Sequence, residues 1–394
     1  VEPPLTVPAS ISIRADTPAD RWQAVVIGAG PAGCVAATLL ARAGVATLLI
    51  ERCRLPRDKV CGCCLAPLGA HTLQELGLAH VLQGASTIHT VRLCAHGHSL
   101  ALASPASVVL SRTQLDGALA CAAQQAGADM LWPASATVLP DDRVQLRAAT
   151  LDGPLTLRPR VVLIADGLAG HSADARPALA WRAATARAAR IGVGAQLAPF
   201  PGAPAPGELL MAVGARGYAG LVRLPGGQLD LAAAIDPRWC KHDGGPAPAC
   251  AHILREAGVP IDARALQACT FAGTPTLTRA RRALADGRVL VVGDAAGYVE
   301  PFTGEGMSWA IAGARACVPH ALHAIEHGCA PQWSLAHARL LGTRMRACAL
   351  HARMVRWPRA LGAALALGAL VPGVRRAFAG ISRHVGAPAP LVPS

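Results

Sequence analysis

Lysine is nearly missing. Of the 37 basic residues in this 394-residue chain only Lys59 and Lys241 are lysines; the rest are arginines, with no run longer than Arg281-Arg282 or Arg375-Arg376. Aromatic residues make up only 3% of the chain. Nucleic-acid-binding surfaces cluster basic residues and interleave aromatic ones, so nucleic acid is not the expected partner. The net charge of +13 reads mainly as composition bias, with a mild attraction to anionic surfaces or acidic substrates. H-E-x-x-H and G-x-S-x-G are both absent, which removes two familiar hydrolase signatures. The 13 cysteines are odd in number and follow no disulfide-like spacing, which fits reduced thiols in a cytoplasmic protein. Cys61, Cys63 and Cys64 form C-x-C-C without the second ligand pair of a structural zinc site, so no metal is expected. The first residues, VEPPLTVPASISIRADTPAD, lack the apolar core of a signal peptide and read as a flexible leader over 1–20. The uncharged stretch from Ala360 to Val374 falls short of the roughly 20 residues a spanning helix needs, and Pro372 shortens it further. It reads as a buried or tunnel-lining helix, with a monotopic membrane contact as the alternative.

What is present begins at Gln23–Ala43, QAVVIGAGPAGCVAATLLARA. Ala24–Ile27 is apolar and rich in β-branched residues, as a buried parallel strand requires. Gly28, Gly30 and Gly33 follow in G-x-G-x-x-G spacing: one for the tight turn, one for close approach of a pyrophosphate, one for helix–strand packing. The helix behind them points its N-terminal amides at the phosphates. A second strand, Ala46–Ile50, ends in Glu51, where an acid can bind a ribose hydroxyl, with Arg52 beside it. Together these predict a bound dinucleotide.

Three further stretches bear on chemistry. Ser111–Gly127 has a Ser cap and helical apolar spacing, and carries Arg112 in its first turn. The strand Arg160–Ala165 runs into Asp166-Gly167. The strand Arg288–Val292 runs into Gly293-Asp294, and a glycine-rich loop then enters a helix near Gly304-Glu305-Gly306. Between about 181 and 279 the pattern becomes antiparallel, with Ile191–Leu197, Glu208–Val213, Tyr218–Leu224 and Gln228–Ile235 joined by Pro/Gly turns. The expected organisation is an α/β (α+β) protein. Its Rossmann-like layer is assembled from 21–80, 110–180 and 280–330. A mixed or antiparallel-sheet substrate domain comes from 81–109 and 181–279, and a helical region follows over 331–394.

These four stretches, in this order, resemble the p-hydroxybenzoate-hydroxylase superfamily of FAD enzymes, and within it the geranylgeranyl-reductase branch. The segment GDAAGYVEPFTGEGM has Gly297 where the aromatic hydroxylases place His, and Pro56-Arg-Asp-Lys-Val-Cys61-Gly62 is similar to the branch's P-x-x-K-x-C-G motif. The segment GYAGLVRLPGGQLDLAAAI is similar to its substrate-domain strand pair, without the usual Trp and Phe. The resemblance implies that Gly28, Gly30, Gly33, Glu51 and Arg52 serve the ADP half of FAD. Arg112 would contact the phosphates or ribitol, and Asp294 the ribitol. Gly304 and Gly306 would present backbone to the isoalloxazine, and Asp166 would serve flavin and nicotinamide binding. Cys61 would sit beside the flavin on the substrate side, where nearby cations can lower a thiol's pKa. Glu305, and less directly Glu300, are further proton-transfer candidates.

The implied activity is hydride transfer from FAD to a C=C bond of an isoprenoid, lipid-like or polyketide-derived substrate, with NAD(P)H as the reductant. The alternatives are hydroxylation of an aromatic or polyketide substrate, halogenation, and flavin-free carriage of a prenyl or lipid group. The halogenase W-x-W-x-I-P motif is absent.

Overall fold

A computed structural model describes residues 7–182, 189–300, 302, 304–371 and 373. The expected leader's residues 1–6, the segment 183–188 and most of 372–394 lie outside the described residues. The helices are Pro31–Arg42 (α1), Pro67–Glu75 (α2), Arg112–Gln125 (α3), Pro237–His242 (α4), Pro246–Glu256 (α5), Ala263–Gln267 (α6), Gly306–His327 (α7), Trp333–Met354 (α8) and Pro358–Leu370 (α9).

A six-stranded sheet runs in the order 285–286, 289–291, 161–164, 24–27, 47–50, 129–131. Its four central strands are buried at every position, which is why each reads as a continuous apolar run rather than an alternation. They pair in parallel, with Ala24 opposite both Val161 and Thr47, so distant pieces of chain end side by side. Helix α1 lies against this sheet and packs on α3 and α7. Its small side chains (Ala32, Ala36, Ala37) permit burial nearly all round. Ser111 caps α3, its hydroxyl accepting from the Gln114 amide at 3.2 Å.

An eight-stranded sheet runs 272–276, 191–197, 229–235, 217–223, 208–214, 86–95, 98–109, 64–65. It is antiparallel except where 208–214 meets 86–95. Cys64–Leu65 therefore joins this sheet, although it falls inside the 21–80 piece expected to build the dinucleotide layer. One face of the sheet buries Leu210, Leu221 and Leu231 against Ile253 and Leu254 of α5. Across the other face Gly194, Ala232 and Gly220 stand side by side on three strands, leaving a shallow floor.

The described part of the expected leader is fastened along the first sheet. The Ile11 amide donates to the Met130 carbonyl at 2.8 Å, and Ile13 is buried. The C-terminal helix departs from the buried or tunnel-lining reading of its sequence. It is neither fully buried nor a tunnel wall: Gly362 and Leu365 pack on the 86–109 hairpin, while Leu367 and Leu370 face outward. A side chain on Gly362 would approach the Ala95 carbonyl at 2.9 Å, so its absence lets α9 lie this close.

Candidate active site

The ends of strands 24–27, 47–50, 161–164 and 289–291 open into one crevice between the two sheets. Gly28 has φ 107, and a Cβ there would lie 2.4 Å from the Ala165 carbonyl oxygen. A Cβ on Gly33 would lie 1.8 Å from the Gly28 oxygen. Gly30 differs: its missing side chain faces Arg112, 4.0 Å away, across open crevice. Glu51 is buried and accepts from the Ala29 amide (3.0 Å), the Cys53 amide (3.0 Å) and Arg57 (3.2 Å). A carboxylate has about four acceptor sites, so it keeps capacity for a ribose hydroxyl. Glu51, Arg52 and Asp166 line a cavity of about 300 Å3 at this end. Asp166 accepts from the Ser172 amide at 3.0 Å, while its Oδ1 is buried with no hydrogen-bond partner among the described residues.

The middle of the crevice is cationic. Arg112 is buried and grips Asp116 through two bonds of 2.9 and 2.7 Å, which, against the cost of burial, keeps it protonated. Arg57 bridges Glu51 and Asp116. Lys59 reaches in from its loop, and burial and the Arg112 charge lower its pKa. These cations suit a pyrophosphate. Asp294 faces them. Burial raises its pKa, and Lys59 and Arg112 pull it back.

Beyond Asp294 lies a cavity of about 160 Å3. The N-terminal turn of α7 enters it through Gly304 and Gly306. Leu209, Met211, Leu277 and Phe302 give it apolar walls, and Tyr218 meets Phe302 edge-on with ring centroids 5.1 Å apart. Cys61 is half-buried on its rim. A hydrogen bond from Cys63, opposed by burial and assisted by Arg112, pulls the Cys61 pKa down to about 6. Burial pushes Cys64 the other way. All 13 cysteines are free thiols.

Ten of the thirteen residues singled out from sequence meet along this crevice: Gly28, Gly30, Glu51, Arg52, Asp166, Arg112, Asp294, Gly304, Gly306 and Cys61. Gly33 stands behind it as packing. Glu305 does not line it. Its carboxylate is buried 3.6 Å from Arg344 of α8, which argues for a structural ion pair rather than acid catalysis. Glu300 likewise sits between Arg190 (2.7 Å) and Arg356 (3.5 Å). Sequence reasoning assigned nothing to Arg57, Tyr218 or Phe302. All three stood in quoted segments: Arg57 in the P-x-x-K-x-C-G stretch, Tyr218 in GYAGLVRLPGGQLDLAAAI and Phe302 in GDAAGYVEPFTGEGM.

A glycine turn that opens onto the crevice at Gly30, an orphaned carboxylate oxygen on Asp166, three cations at mid-crevice and a helix N-terminus at its end fit FAD. The chain is 33% identical over 154 residues to a menaquinone reductase from Mycolicibacterium smegmatis, covering 37% of this chain and 38% of that protein's length. It is 29% identical over 330 residues to digeranylgeranylglycerophospholipid reductase 1 from Methanopyrus kandleri, covering 78% and 82%. Among solved structures, the flavin-dependent brominase Bmp2 superposes with a TM-score of 0.74 at 16% identity, covering 92% of this chain and 93% of the other, a likeness of fold alone. The family profile described as "FAD binding domain" matches residues 21–347. Profile, cradle and topology agree, and the chain belongs to the FAD binding domain family.

Proposed function

We propose that the protein reduces a carbon–carbon double bond in a hydrophobic, isoprenoid-like substrate, drawing electrons from NAD(P)H. The observation that carries this reading is the apolar cavity at the α7 N-terminus with an ionisable thiol, Cys61, on its rim. Bound reduced FAD supplies a hydride equivalent. The chain's own residues do the rest. The Gly28–Gly33 turn, Glu51 and Arg52 would hold the ADP half, Asp166 would serve flavin and nicotinamide binding, and Arg112 and Asp294 would hold the centre. The first amides of α7 stabilise negative charge beside them. Leu209, Met211, Leu277 and Phe302 exclude water and seat an aliphatic chain. Cys61 delivers the proton that the second alkene carbon requires. The two curated relatives support the substrate class, since their names denote reductases of a digeranylgeranyl lipid and of a menaquinone.

The test is anaerobic mixing of the reduced, FAD-loaded enzyme with a polyprenyl alkene. The expected result is return of the oxidised flavin spectrum and a product heavier by two hydrogens. Cys61→Ser is expected to slow that step roughly 100-fold with FAD still bound. An enzyme that ignores alkenes but adds oxygen or halogen to an aromatic substrate would replace this reading with an oxygen-dependent one.

No helix among the described residues is long and apolar enough to cross a membrane. A greasy substrate still has to be collected, and the α8–α9 edge suits that task. Leu350, Trp357 and Leu370 are 57%, 73% and 81% exposed there, beside exposed Arg353 and Arg359. Apolar side chains flanked by cations favour an anionic bilayer surface. The protein is expected to sediment with phosphatidylglycerol vesicles, and Trp357→Ser with Leu370→Ser to lower the bound fraction several-fold. Equal sedimentation of the two proteins would remove the contact from this edge.

A further inference from the structure

The chain has two tyrosines, and both line the apolar chamber. Tyr298 stands at the start of α7: a Cβ on Gly306 would lie 3.2 Å from its ring and 3.4 Å from its hydroxyl oxygen. Tyr218 belongs to the sheet. It lies on strand 217–223 opposite Val213 and Ala234, and is 4% exposed.

The ring of Tyr218 is held on two sides. Phe302 meets it edge-on, and the Arg190 guanidinium lies 5.4 Å from its centroid. Arg190 is itself held by Glu300 at 2.7 Å. Yet the Tyr218 hydroxyl oxygen is buried with no hydrogen-bond partner among the described residues. A buried tyrosine hydroxyl usually finds a partner, and one left without destabilises the folded state. Phenylalanine would fill the same space without that cost. The other hydroxyl that the sheet brings to the chamber is Thr274, and it is committed. It accepts from the Gly192 amide at 2.9 Å and donates to the Pro275 carbonyl at 2.8 Å. Tyr218 is therefore the hydroxyl donor on the sheet side with its hydrogen to spare, and the acceptor it lacks in the protein can come from a ligand in the chamber.

We infer that the substrate carries a carbonyl oxygen conjugated with the double bond to be reduced, and that the Tyr218 hydroxyl donates to that oxygen.

This rests on the proposed alkene reduction and narrows its substrate to an isoprenoid enone. The chamber holds about 160 Å3, so an oxygen at Tyr218 and a carbon facing Cys61 belong to one small group of atoms. The chemistry favours conjugation. Hydride addition to an isolated C=C bond leaves the displaced electron pair on carbon. In an enone the hydride bonds to the β-carbon, the C=C bond shifts one position, and the carbonyl π pair moves onto oxygen. Tyr218 stabilises that oxyanion by its hydrogen bond without losing its proton. The C=O bond then re-forms as the α-carbon takes a proton from Cys61, which water replaces. Two electrons arrive with the hydride, and the nicotinamide reductant restores them. Burial and the Glu300 charge, opposed by Arg190, push the Tyr218 pKa upward, so the phenol stays a donor at neutral pH.

The test compares two monoterpenes of one carbon skeleton: pulegone, an enone, and limonene, an alkene without oxygen. Each is mixed with FAD-loaded enzyme reduced anaerobically by dithionite. Pulegone should reoxidise the flavin faster and yield menthone. Tyr218→Phe should slow that step roughly 100-fold. The ratio of the pulegone rate to the limonene rate should fall at least about tenfold. Menthone, titrated against the oxidised flavin spectrum, should bind about tenfold more weakly to Tyr218→Phe. The variant should keep its FAD and melt no lower than wild type, because the hydroxyl holds nothing in the resting protein; a purely structural hydroxyl would lower Tm. Equal menthone Kd in the two proteins overturns the inference, whatever the Tm. So does a wild type that reduces limonene as fast as pulegone, or one that neither binds menthone nor reduces pulegone. A wild type inert to both alkenes that binds menthone through Tyr218 keeps the carbonyl donor and sinks only the alkene reading.

Discussion

Gly33→Ala is expected to yield protein with less than about a tenth of the wild-type flavin content and a lowered melting temperature. The added methyl would sit 1.8 Å from the Gly28 carbonyl oxygen, 3.0 Å from its carbonyl carbon and 3.3 Å from the Ala165 Cβ. Two of those three atoms are backbone, and rotamer changes cannot clear them. Helix α1 would have to back away from the sheet, but α3 and α7 hold it there. Ordinary overpacking of a core costs about 1–3 kcal/mol, and relief here requires a main-chain shift as well. That shift would also displace the amides at the start of α1, which are the groups aimed at the pyrophosphate. Gly44→Ala is the control. Its φ of 78 makes alanine strained, yet nothing lies within 4 Å of the new methyl. It should cost about 1 kcal/mol and keep its flavin. The flavin-to-protein absorbance ratio of the two purified variants decides the matter, and full FAD content in Gly33→Ala would contradict the packing argument.

Glu51→Ala is expected to weaken FAD binding about 100-fold, read as Kd by fluorescence titration of the apoprotein. The Glu51 carboxylate accepts two main-chain amides and Arg57 in a buried setting. Hydrogen bonds to a charged group contribute about 1.5–3 kcal/mol each, and donors left unpaired in a buried site cost more than the bond was worth. Alanine would orphan the Ala29 and Cys53 amides and leave Arg57 with Asp116 alone, at 3.4 Å. It would also remove the acceptor for the ribose. Glu51→Gln keeps the shape and loses the charge, so it should fall between the two. An unchanged Kd in Glu51→Ala would remove Glu51 from the ribose role.

Much of this site was legible because its determinants are local. The Gly28–Gly33 turn, the strand before it and the acid that ends the next strand lie within one supersecondary unit, so spacing alone carries the geometry. The strands from Ile191 to Ile235 were legible because Pro/Gly turns bound short apolar runs; both of their faces are largely buried, so no alternation marks them. What could not be read was set by distant contacts. Asp129–Leu131 and Ala285–Asp286 are too short to carry a period, and are strands only because neighbours pair with them. Glu305 had the signature of a carboxylate at a helix start, where its charge is favourable anyway. Nothing near it in sequence indicates that Arg344, a helix away, draws it out of the crevice. The uncharged C-terminal stretch gave no inner or outer face until the 86–109 hairpin supplied one.

A crystal structure of the FAD-loaded protein tests the central claim most directly. The account predicts adenosine against Glu51, the pyrophosphate at the start of α1 near Arg112, and the ring system beside Gly304 and Gly306 with Cys61 facing it. A ring system bound elsewhere, or a crevice that stays closed to flavin by its own side chains, would contradict it.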